Sequence, residues 1–163
     1  MRAGDAREDG HMEAPGLEWT ARLTVLLGAP LEIGPTARGL HRVIPITGGS
    51  VEGPRFSGRI LPGGADWQYV ASDGLTEVDA RYTMESSSGV RVGISSRGVR
   101  FGPPDVLARL GRGEAVGPGE YYFRTAMRFE APRGEFEWMG QAIFLAKAQR
   151  LPSEVRIDVF QVL

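Results

Sequence analysis

The sequence contains no cysteine and only two histidines, His11 and His41, among its 163 residues. Without cysteine the chain forms no disulfide, carries no thiolate nucleophile and offers zinc no sulfur ligand. Two histidines also argue against a metal centre built from several imidazoles, so we expect no bound metal. The glycine-rich segments lack the Walker lysine pattern and a following nucleotide-binding helix. We therefore interpret them as turns and expect no cofactor.

Strong net charge and long apolar runs are absent too. Nineteen lysines and arginines stand against twenty aspartates and glutamates, which leaves a net charge of −1. So small a charge creates no strong field, and we expect neither nucleic acid nor a membrane as a partner. No apolar run approaches the roughly 20 residues of a membrane-spanning helix, and the polar N-terminus lacks the apolar centre of a secretory signal. We expect a cytoplasmic protein with a flexible tail over residues 1–14.

Alternation of apolar and polar residues dominates the rest of the chain. Leu17–Leu27 shows it most clearly, because apolar side chains fall on every second residue from Trp19 onward. Asp73-Gly74 is a hairpin signal, since it separates two strand-like runs. Further strands are predicted over Gly39–Thr47, Arg55–Leu61, Trp67–Ala71, Thr76–Ser86, Val90–Ser95, a short piece from Gly98, Tyr121–Ala131, Phe136–Lys147 and Val155–Val162.

Turns and one helix complete the pattern. The stretch Pro45–Trp67 contains Gly48-Gly49, Gly53-Pro54 and Gly63-Gly64, where glycine reaches positive φ without steric cost. Pro30, Gly34 and Pro35 are expected to break the segment after the first strand into turns. Pro103–Arg112 is the one predicted helix, with proline in its first turn and an apolar stripe.

These elements define the predicted architecture. Eight to ten strands with one short helix indicate an all-β protein. We favour an antiparallel β-barrel over a sandwich because closing the sheet removes its exposed edges. Residues 15–163 are long enough to form this barrel as a single domain.

Several short motifs occur along the chain in a specific order and spacing. They are Pro45-Ile46-Thr47-Gly48-Gly49, Glu52-Gly53-Pro54, Leu61-Pro62-Gly63-Gly64-Ala65-Asp66-Trp67, Asp73-Gly74, Asp79 with Arg81-Tyr82, Tyr122-Phe123-Arg124 and Phe136-Glu137-Trp138. With these motifs the chain resembles the family known as domain of unknown function 3237, from about Leu17 to Val162. The chain departs from the family pattern at Trp138-Met139-Gly140, where Trp-Leu-Asn is expected.

The resemblance implies a barrel similar to those of allene oxide cyclase and of dirigent-type proteins. Such relatives guide the cyclisation or coupling of reactive small molecules, usually without a cofactor and often as oligomers. The family itself has no single established activity. A small-molecule ligand is therefore the partner that the resemblance suggests.

Asp66 beside Trp67 is the first candidate for chemistry. A carboxyl group among apolar side chains acquires a raised pKa and is able to act as a general acid or base, while Trp67 would contact the substrate. The alternative is a structural role, in which Asp66 caps the turn after Gly63-Gly64 and Trp67 fills the core.

Two strands carry polar faces that would converge if both pointed into the barrel. Asp79 and Arg81 share one face because they are two residues apart, and Tyr122 and Arg124 share another. Asp79 and Arg124 are then further catalytic candidates, and Arg81 and Tyr122 are substrate contacts. The alternative for Asp79 and Arg81 is a surface ion pair that contributes about 0–1 kcal/mol.

Three more residues are predicted to contact the substrate. Tyr82 and Trp138 would form apolar walls, although core packing is the alternative for both. Arg42 joins them from the start of a long strand, beside the lone His41.

Three functions are compatible with these residues. The first is a cofactor-independent cyclase or isomerase for a hydrophobic, oxygenated small molecule, in which Asp66 or Asp79 moves a proton and an arginine stabilises the developing charge. The second is a barrel that binds such a molecule without catalysis. The third is a structural homo-oligomer. Because some strands carry apolar side chains on both faces, we also expect self-association through an apolar outer face.

Overall fold

A computed structural model describes residues 10–163, and this part of the chain contains ten β-strands, one α-helix and one short 3₁₀ helix. The helix α1 spans Pro104–Gly111, and the 3₁₀ helix spans Glu137–Gln141. The strands are β1 (Leu17–Leu27), β2 (Leu31–Thr36), β3 (Gly39–Glu52), β4 (Gly58–Ile60), β5 (Gly64–Val70), β6 (Thr76–Ser86), β7 (Arg91–Phe101), β8 (Tyr122–Glu130), β9 (Phe144–Arg150) and β10 (Glu154–Val162). Of the predicted tail over residues 1–14, residues 1–9 lie outside the described residues.

The strands close into an antiparallel barrel, which confirms the predicted fold class. β1 pairs with β3 on one side and with β10 on the other, and the sheet runs from β10 through β9, β8 and β7 to β6. Between β6 and β3, the strands β4 and β5 occupy one position in succession, because both pair with the same two neighbours. β1 and β2 also share one position, because they pair with successive parts of β3, although β2 does not pair with β10. The barrel therefore has eight strand positions.

Alternate residues of each strand point into the barrel, as the period of two predicts. In β1, Leu23 and Val25 are buried and pack against interior residues of the other strands. Trp19 differs from its prediction, because the register of β1 against β10 shifts between Trp19 and Ala21. The shift turns the indole outward, where its Nε1 donates a hydrogen bond to Asp158 at 3.2 Å.

Aromatic side chains close one end of the barrel, which we call the floor. The 3₁₀ helix lies here, and the Trp138 ring lies 6.1 Å from that of Phe56 and 6.2 Å from that of Phe144. The guanidinium group of Arg55 lies 3.5 Å from the centre of the Trp138 ring. Phe129 packs edge-on against Phe144 at 4.8 Å. Packed aromatic side chains therefore fill most of the floor.

The opposite end, which we call the mouth, has polar interior side chains. Arg42 of β3, Gln68 of β5, Arg100 of β7 and Arg150 of β9 lie where their strands reach this end. α1 joins β7 to β8 beside the mouth, and its buried Val106 packs into the core cluster.

Five predicted elements need correction. Phe136–Lys147 is not one strand: Phe136 and Met139 are both buried, and their spacing of three suits the 3₁₀ helix that precedes β9. Leu31–Thr36 is a strand despite Gly34-Pro35, because proline is tolerated at a sheet edge. The predicted strand Arg55–Leu61 shrinks to β4.

The two pieces predicted from Val90 and from Gly98 are one continuous strand, β7. The predicted turn at Gly48-Gly49 is a sharply distorted part of β3. There Gly49 has φ of 143° and lies so close to the Thr24 carbonyl that a side chain would collide.

Candidate functional site

Two adjoining cavities occupy the barrel interior between the floor and the mouth. The arginine cavity, of about 60 Å³, lies at the mouth and is lined by Arg42, Arg100 and Arg150. The apolar cavity, of about 40 Å³, lies deeper. Its walls are mainly aliphatic and aromatic side chains: Val25, Leu27, Ile46, Val78, Ala80, Tyr82, Phe123, Ala148, Val155 and Ile157. Both cavities are lined by Leu27, Asp66, Phe123 and Val155, so they are parts of one interior space.

Asp66 lies at the junction of the two cavities. It points inward because it is paired with Ile44 of β3 and Ala80 of β6, whose side chains also face the interior. Its Oδ1 accepts a hydrogen bond from the backbone N–H of Asp79 at 2.9 Å, and its Oδ2 accepts one from Nε2 of Gln68 at 2.6 Å. Burial raises the pKa of Asp66 above its ordinary value, although these two hydrogen bonds oppose the shift.

These contacts decide against one sequence-based alternative for Asp66. Neither oxygen caps the turn at Gly63-Gly64, since both accept hydrogen bonds from groups on β5 and β6. The carboxyl group instead joins two strands where their ladder is interrupted between Asp66 and Tyr69.

Gln68 connects Asp66 to the first arginine of the mouth. Nε of Arg42 donates a hydrogen bond to Oε1 of Gln68 at 2.8 Å, while Nε2 of the same amide donates to Asp66. Burial lowers the pKa of Arg42, and the charge of Asp66 opposes that shift. The amide therefore holds a guanidinium group and a carboxyl group in a fixed relation at the mouth.

Arg100 and Arg150 complete the arginine cavity. Burial, followed by repulsion from Arg42 and Arg150, lowers the pKa of Arg100 to about 10. The Nη1 of Arg150 donates hydrogen bonds to the backbone carbonyls of Leu151 and Glu154. Burial and the nearby Arg42 lower its pKa. The guanidinium groups are thus close enough to repel one another.

Tyr82 brings a hydroxyl group into the apolar cavity. Its Oη is fully buried and has no hydrogen-bond partner within residues 10–163. Burial raises the pKa of Tyr82, and the nearby charge of Asp66 raises it further. Tyr82 is therefore a neutral donor without an acceptor, in the same cavity as a buried carboxyl group.

The other sequence-predicted residues do not meet Asp66 inside the barrel. Trp67, Asp79 and Arg81 lie on the outer face of β5 and β6, where Asp79 forms ion pairs with Arg97 at 3.1 Å and with Arg81 at 3.8 Å. Trp67 and Arg81 line an open groove of about 840 Å³ on that surface. Odd-numbered residues of β6 face outward because the apolar even-numbered residues fill the core.

Tyr122 and Arg124 also lie outside, on β8. They line a second surface groove of about 480 Å³ together with Leu145 and Lys147. The guanidinium of Arg124 lies 5.1 Å from the Tyr122 ring centre. Trp138 lies at the floor, among core side chains. Of the nine predicted site residues, the structure brings only Arg42, Asp66 and Tyr82 to the interior cavities.

Sequence reasoning missed Gln68, Arg100 and Arg150. The alternation itself contained a signal for the two arginines: Arg100 continues the buried face of Val92, Ile94 and Ser96, and Arg150 continues that of Phe144, Ala146 and Ala148. An arginine at the end of an otherwise buried face marks a polar end of the interior.

Two further findings concern metals and membranes. No cluster of three or more Asp, Glu or His side chains within residues 10–163 is placed to hold a metal ion. In the same part of the chain, the helices are too short and too polar to cross a membrane.

Comparison with known proteins agrees with the sequence resemblance. The family described as protein of unknown function DUF3237 matches residues 15–162. A UPF0311 protein of Rhodopseudomonas palustris is 41% identical over 141 residues, which cover 86% of this chain and 92% of that protein. A crystal structure of a β-barrel-like protein from Acinetobacter baumannii is 37% identical. It covers 95% of this chain and 100% of its own, with a TM-score of 0.83.

A more distant structure shows how widely the fold is shared. The crystal structure of an enzyme from Penicillium herquei superimposes with a TM-score of 0.72 over 94% of this chain and 98% of its own. Its sequence identity is only 16%, so the likeness is one of fold alone.

Proposed function

This chain belongs to the family of proteins of unknown function DUF3237, and we propose that it is a cofactor-independent isomerase or cyclase. Its substrate is a small molecule with an oxygen function that binds inside the barrel. Asp66 transfers a proton, and Tyr82 donates a hydrogen bond to the substrate oxygen. The partner is thus a small molecule rather than a macromolecule.

One observation carries this proposal: a buried carboxyl group and a buried, unpartnered hydroxyl group line the same apolar cavity. An unpaired buried hydroxyl typically costs about 1–3 kcal/mol. Such a cost is typical of sites that exchange stability for function. A ligand oxygen that accepts from Tyr82 removes this cost, and the same oxygen is where charge develops when a neighbouring carbon loses a proton.

The reaction requires only the movement of one proton. Ionised Asp66 removes a proton from the carbon next to a carbonyl group, and the electrons of the broken C–H bond form a C=C bond while the carbonyl oxygen becomes negative. Tyr82 donates a hydrogen bond to that oxygen, and the proton then returns from Asp66 to another atom of the substrate. The result is an isomer, with no electron gained or lost and no co-reactant consumed. The raised pKa of Asp66 makes its carboxylate a stronger base than an exposed one.

The interior volume limits the substrate. The two cavities together hold about 100 Å³, which is less than the roughly 150 Å³ of an engineered apolar cavity that binds benzene. A substrate of benzene size or larger would therefore enter only if the side chains of the mouth moved aside. Small carbonyl compounds fit without such movement.

A barrel that binds without catalysis is the second candidate, and one observation favours it. Each oxygen of Asp66 already accepts a hydrogen bond from the barrel wall. On that account the carboxyl group joins β5 to β6 and shapes the pocket, while the ligand is held by the rest of the interior.

Deuterium exchange distinguishes the two candidates. The protein is incubated in D₂O with acetone, butanone and pyruvate, and the loss of the C–H signal next to the carbonyl is followed by proton NMR. We expect catalysed exchange for at least one compound, and a 10²–10⁴-fold loss in Asp66→Asn, as is typical when a general base is removed. Asp79→Asn tests the second carboxylate predicted from sequence, and Asp158→Asn on the outer face of β10 is the matched control.

The outcomes are separable provided that circular dichroism shows all three variants to be folded. Exchange that persists in Asp66→Asn contradicts the catalytic assignment. Exchange lost in Asp79→Asn but not in Asp66→Asn would move the chemistry to the outer groove.

A further inference from the structure

The arginine cavity contains three guanidinium groups on three separate strands. Arg42 enters from β3, Arg100 from β7 and Arg150 from β9, and all three line the same space of about 60 Å³. Inward placement is a consequence of the alternation of each strand. A barrel needs no inward arginine for its stability, so their convergence requires a separate explanation.

Arg100 is the least satisfied of the three. Its Nε is fully buried and has no hydrogen-bond partner among the residues that the structure describes. The ring centre of Phe123 lies 5.8 Å from its guanidinium carbon. A buried charged group is costly unless it is paired and hydrogen-bonded, and Asp66 acts on Arg100 through its charge without a hydrogen bond to Nε. The buried Nε–H of Arg100 is therefore a donor that an anionic ligand in the cavity would engage.

The nearby groups do not neutralise the cluster. Arg42 donates to a neutral amide, and Arg150 donates to backbone carbonyls. Within residues 10–163, Asp66 is the one carboxylate that lines the cavity. Glu32 acts on Arg42 only through its charge. When Asp66 is ionised, the three arginines still leave two positive charges in excess.

We propose that Arg42, Arg100 and Arg150 bind the carboxylate group of a small organic acid whose carbon chain extends into the apolar cavity. The proposal rests on the proposed function in one respect, because it names the substrate class of the same interior site. It stands independently as a statement about binding, since none of the three arginines is the base.

The shape and polarity of the interior favour an organic acid over an inorganic anion. A guanidinium group presents parallel N–H donors that match the two oxygens of a carboxylate. The arginine cavity leads past Phe123 and Val155 into a cavity whose walls are mainly apolar, which suits a short alkyl chain better than a phosphate or sulfate ion. A carboxylate at the arginines also directs the following carbons towards Asp66.

Isothermal titration with butyrate tests the proposal, because butyrate carries one carboxylate on a short alkyl chain. It has as many heavy atoms as benzene, so its entry requires the side chains of the mouth to move aside. Butyramide is the uncharged control ligand, and inorganic phosphate is the inorganic anion. Arg100→Met removes the charge and keeps much of the side-chain length. Arg97→Met is the matched control, because Arg97 lies on the same strand but points outward to Asp79.

We expect the wild type and Arg97→Met to bind butyrate and not butyramide. Arg100→Met should bind butyrate at least about tenfold more weakly than the wild type. Without ligand, Arg100→Met should melt at a higher temperature than the wild type, because it removes a buried Nε–H that has no hydrogen-bond partner and relieves the repulsion among the three arginines. Butyrate should raise the melting temperature of the wild type but not that of Arg100→Met.

Several results would overturn the proposal. They are equal binding of butyrate and butyramide, tighter binding of phosphate than of butyrate, no binding of any of the three, and unchanged butyrate affinity in Arg100→Met. Asp66→Asn separates this proposal from the catalytic one, since it should still bind butyrate. Retained binding with no deuterium exchange in the wild type would contradict catalysis and leave the anion site standing.

Discussion

Replacement of Tyr82 by phenylalanine should stabilise this protein, although tyrosine and phenylalanine differ only by one hydroxyl group. The Tyr82 hydroxyl is buried without a hydrogen-bond partner in the part of the chain that the structure describes. Protein mutational data place the cost of burying such a group at about 1–3 kcal/mol, and part of this gain is lost to the small void that Phe leaves. We therefore expect the free energy of unfolding to rise by about 1 kcal/mol. In a chain of this length that corresponds to about 2–4 °C in melting temperature.

Tyr121 supplies the matched control. Its hydroxyl oxygen accepts a hydrogen bond from the backbone N–H of Arg150 at 2.8 Å, next to the mouth. Tyr121→Phe leaves that N–H without its acceptor, so it should lower the free energy of unfolding by about 1–3 kcal/mol. The two substitutions remove the same atom and are predicted to act in opposite directions.

Thermal unfolding followed by circular dichroism measures both variants at one pH and protein concentration. If Tyr82→Phe is destabilised as much as Tyr121→Phe, the Tyr82 hydroxyl has a partner, and the argument for its role as a donor to substrate fails. If Tyr82→Phe is more stable and also slows the exchange reaction, the hydroxyl group has been retained at the expense of stability.

Three further predictions follow from other parts of the structure. Burial raises the pKa of Asp66 above 3.8, so the stability that protonated Asp66 contributes is full below pH 3.8 and is lost as the pH rises through the raised pKa. Asparagine does not titrate. The melting temperature of Asp66→Asn, measured relative to that of the wild type, should therefore increase from acid to neutral pH. The exposed Leu145 lies on the outer face beside Phe160, where we expect the protein to self-associate. Light scattering should show a particle larger than 17.7 kDa, which Leu145→Glu reduces to a monomer. A wild-type monomer at micromolar concentration contradicts this prediction. A β-carbon at Gly98 would collide with the Arg124 carbonyl, so Gly98→Ala should lower the free energy of unfolding by about 1–3 kcal/mol or more in a denaturant titration. Gly111→Ala is the control, because Gly111 lies at an open helix end and its substitution should leave that free energy nearly unchanged.

The barrel could be predicted from sequence because its information is local. Alternation along single strands such as β6, together with the hairpin at Asp73-Gly74, requires only neighbours in the chain. The same reasoning failed where tertiary contacts override the local pattern. Trp19 follows the apolar alternation of β1, but the register shift against β10 turns it outward, and nothing within Leu17–Leu27 signals that shift.

The candidate site was harder to predict, because the choice between inside and outside belongs to the closed sheet. Asp66 and Tyr82 were identified by residue type and lie in the interior. Asp79 and Arg81 were assigned to a site through a polar face that the barrel directs to solvent. Arg100 and Arg150 lie 50 residues apart in the sequence, and only closure of the barrel brings their side chains to one cavity.

A small organic acid inside the barrel would place its carbon chain beside Asp66. NMR spectroscopy on protein with labelled valine, isoleucine and leucine methyl groups tests this placement, through nuclear Overhauser effects from bound butyrate. We expect effects to Val78 and Ile157, whose side chains line the apolar cavity. Effects confined to outer residues such as Leu145, with none to the interior methyl groups, would place the ligand in a surface groove and contradict the claim.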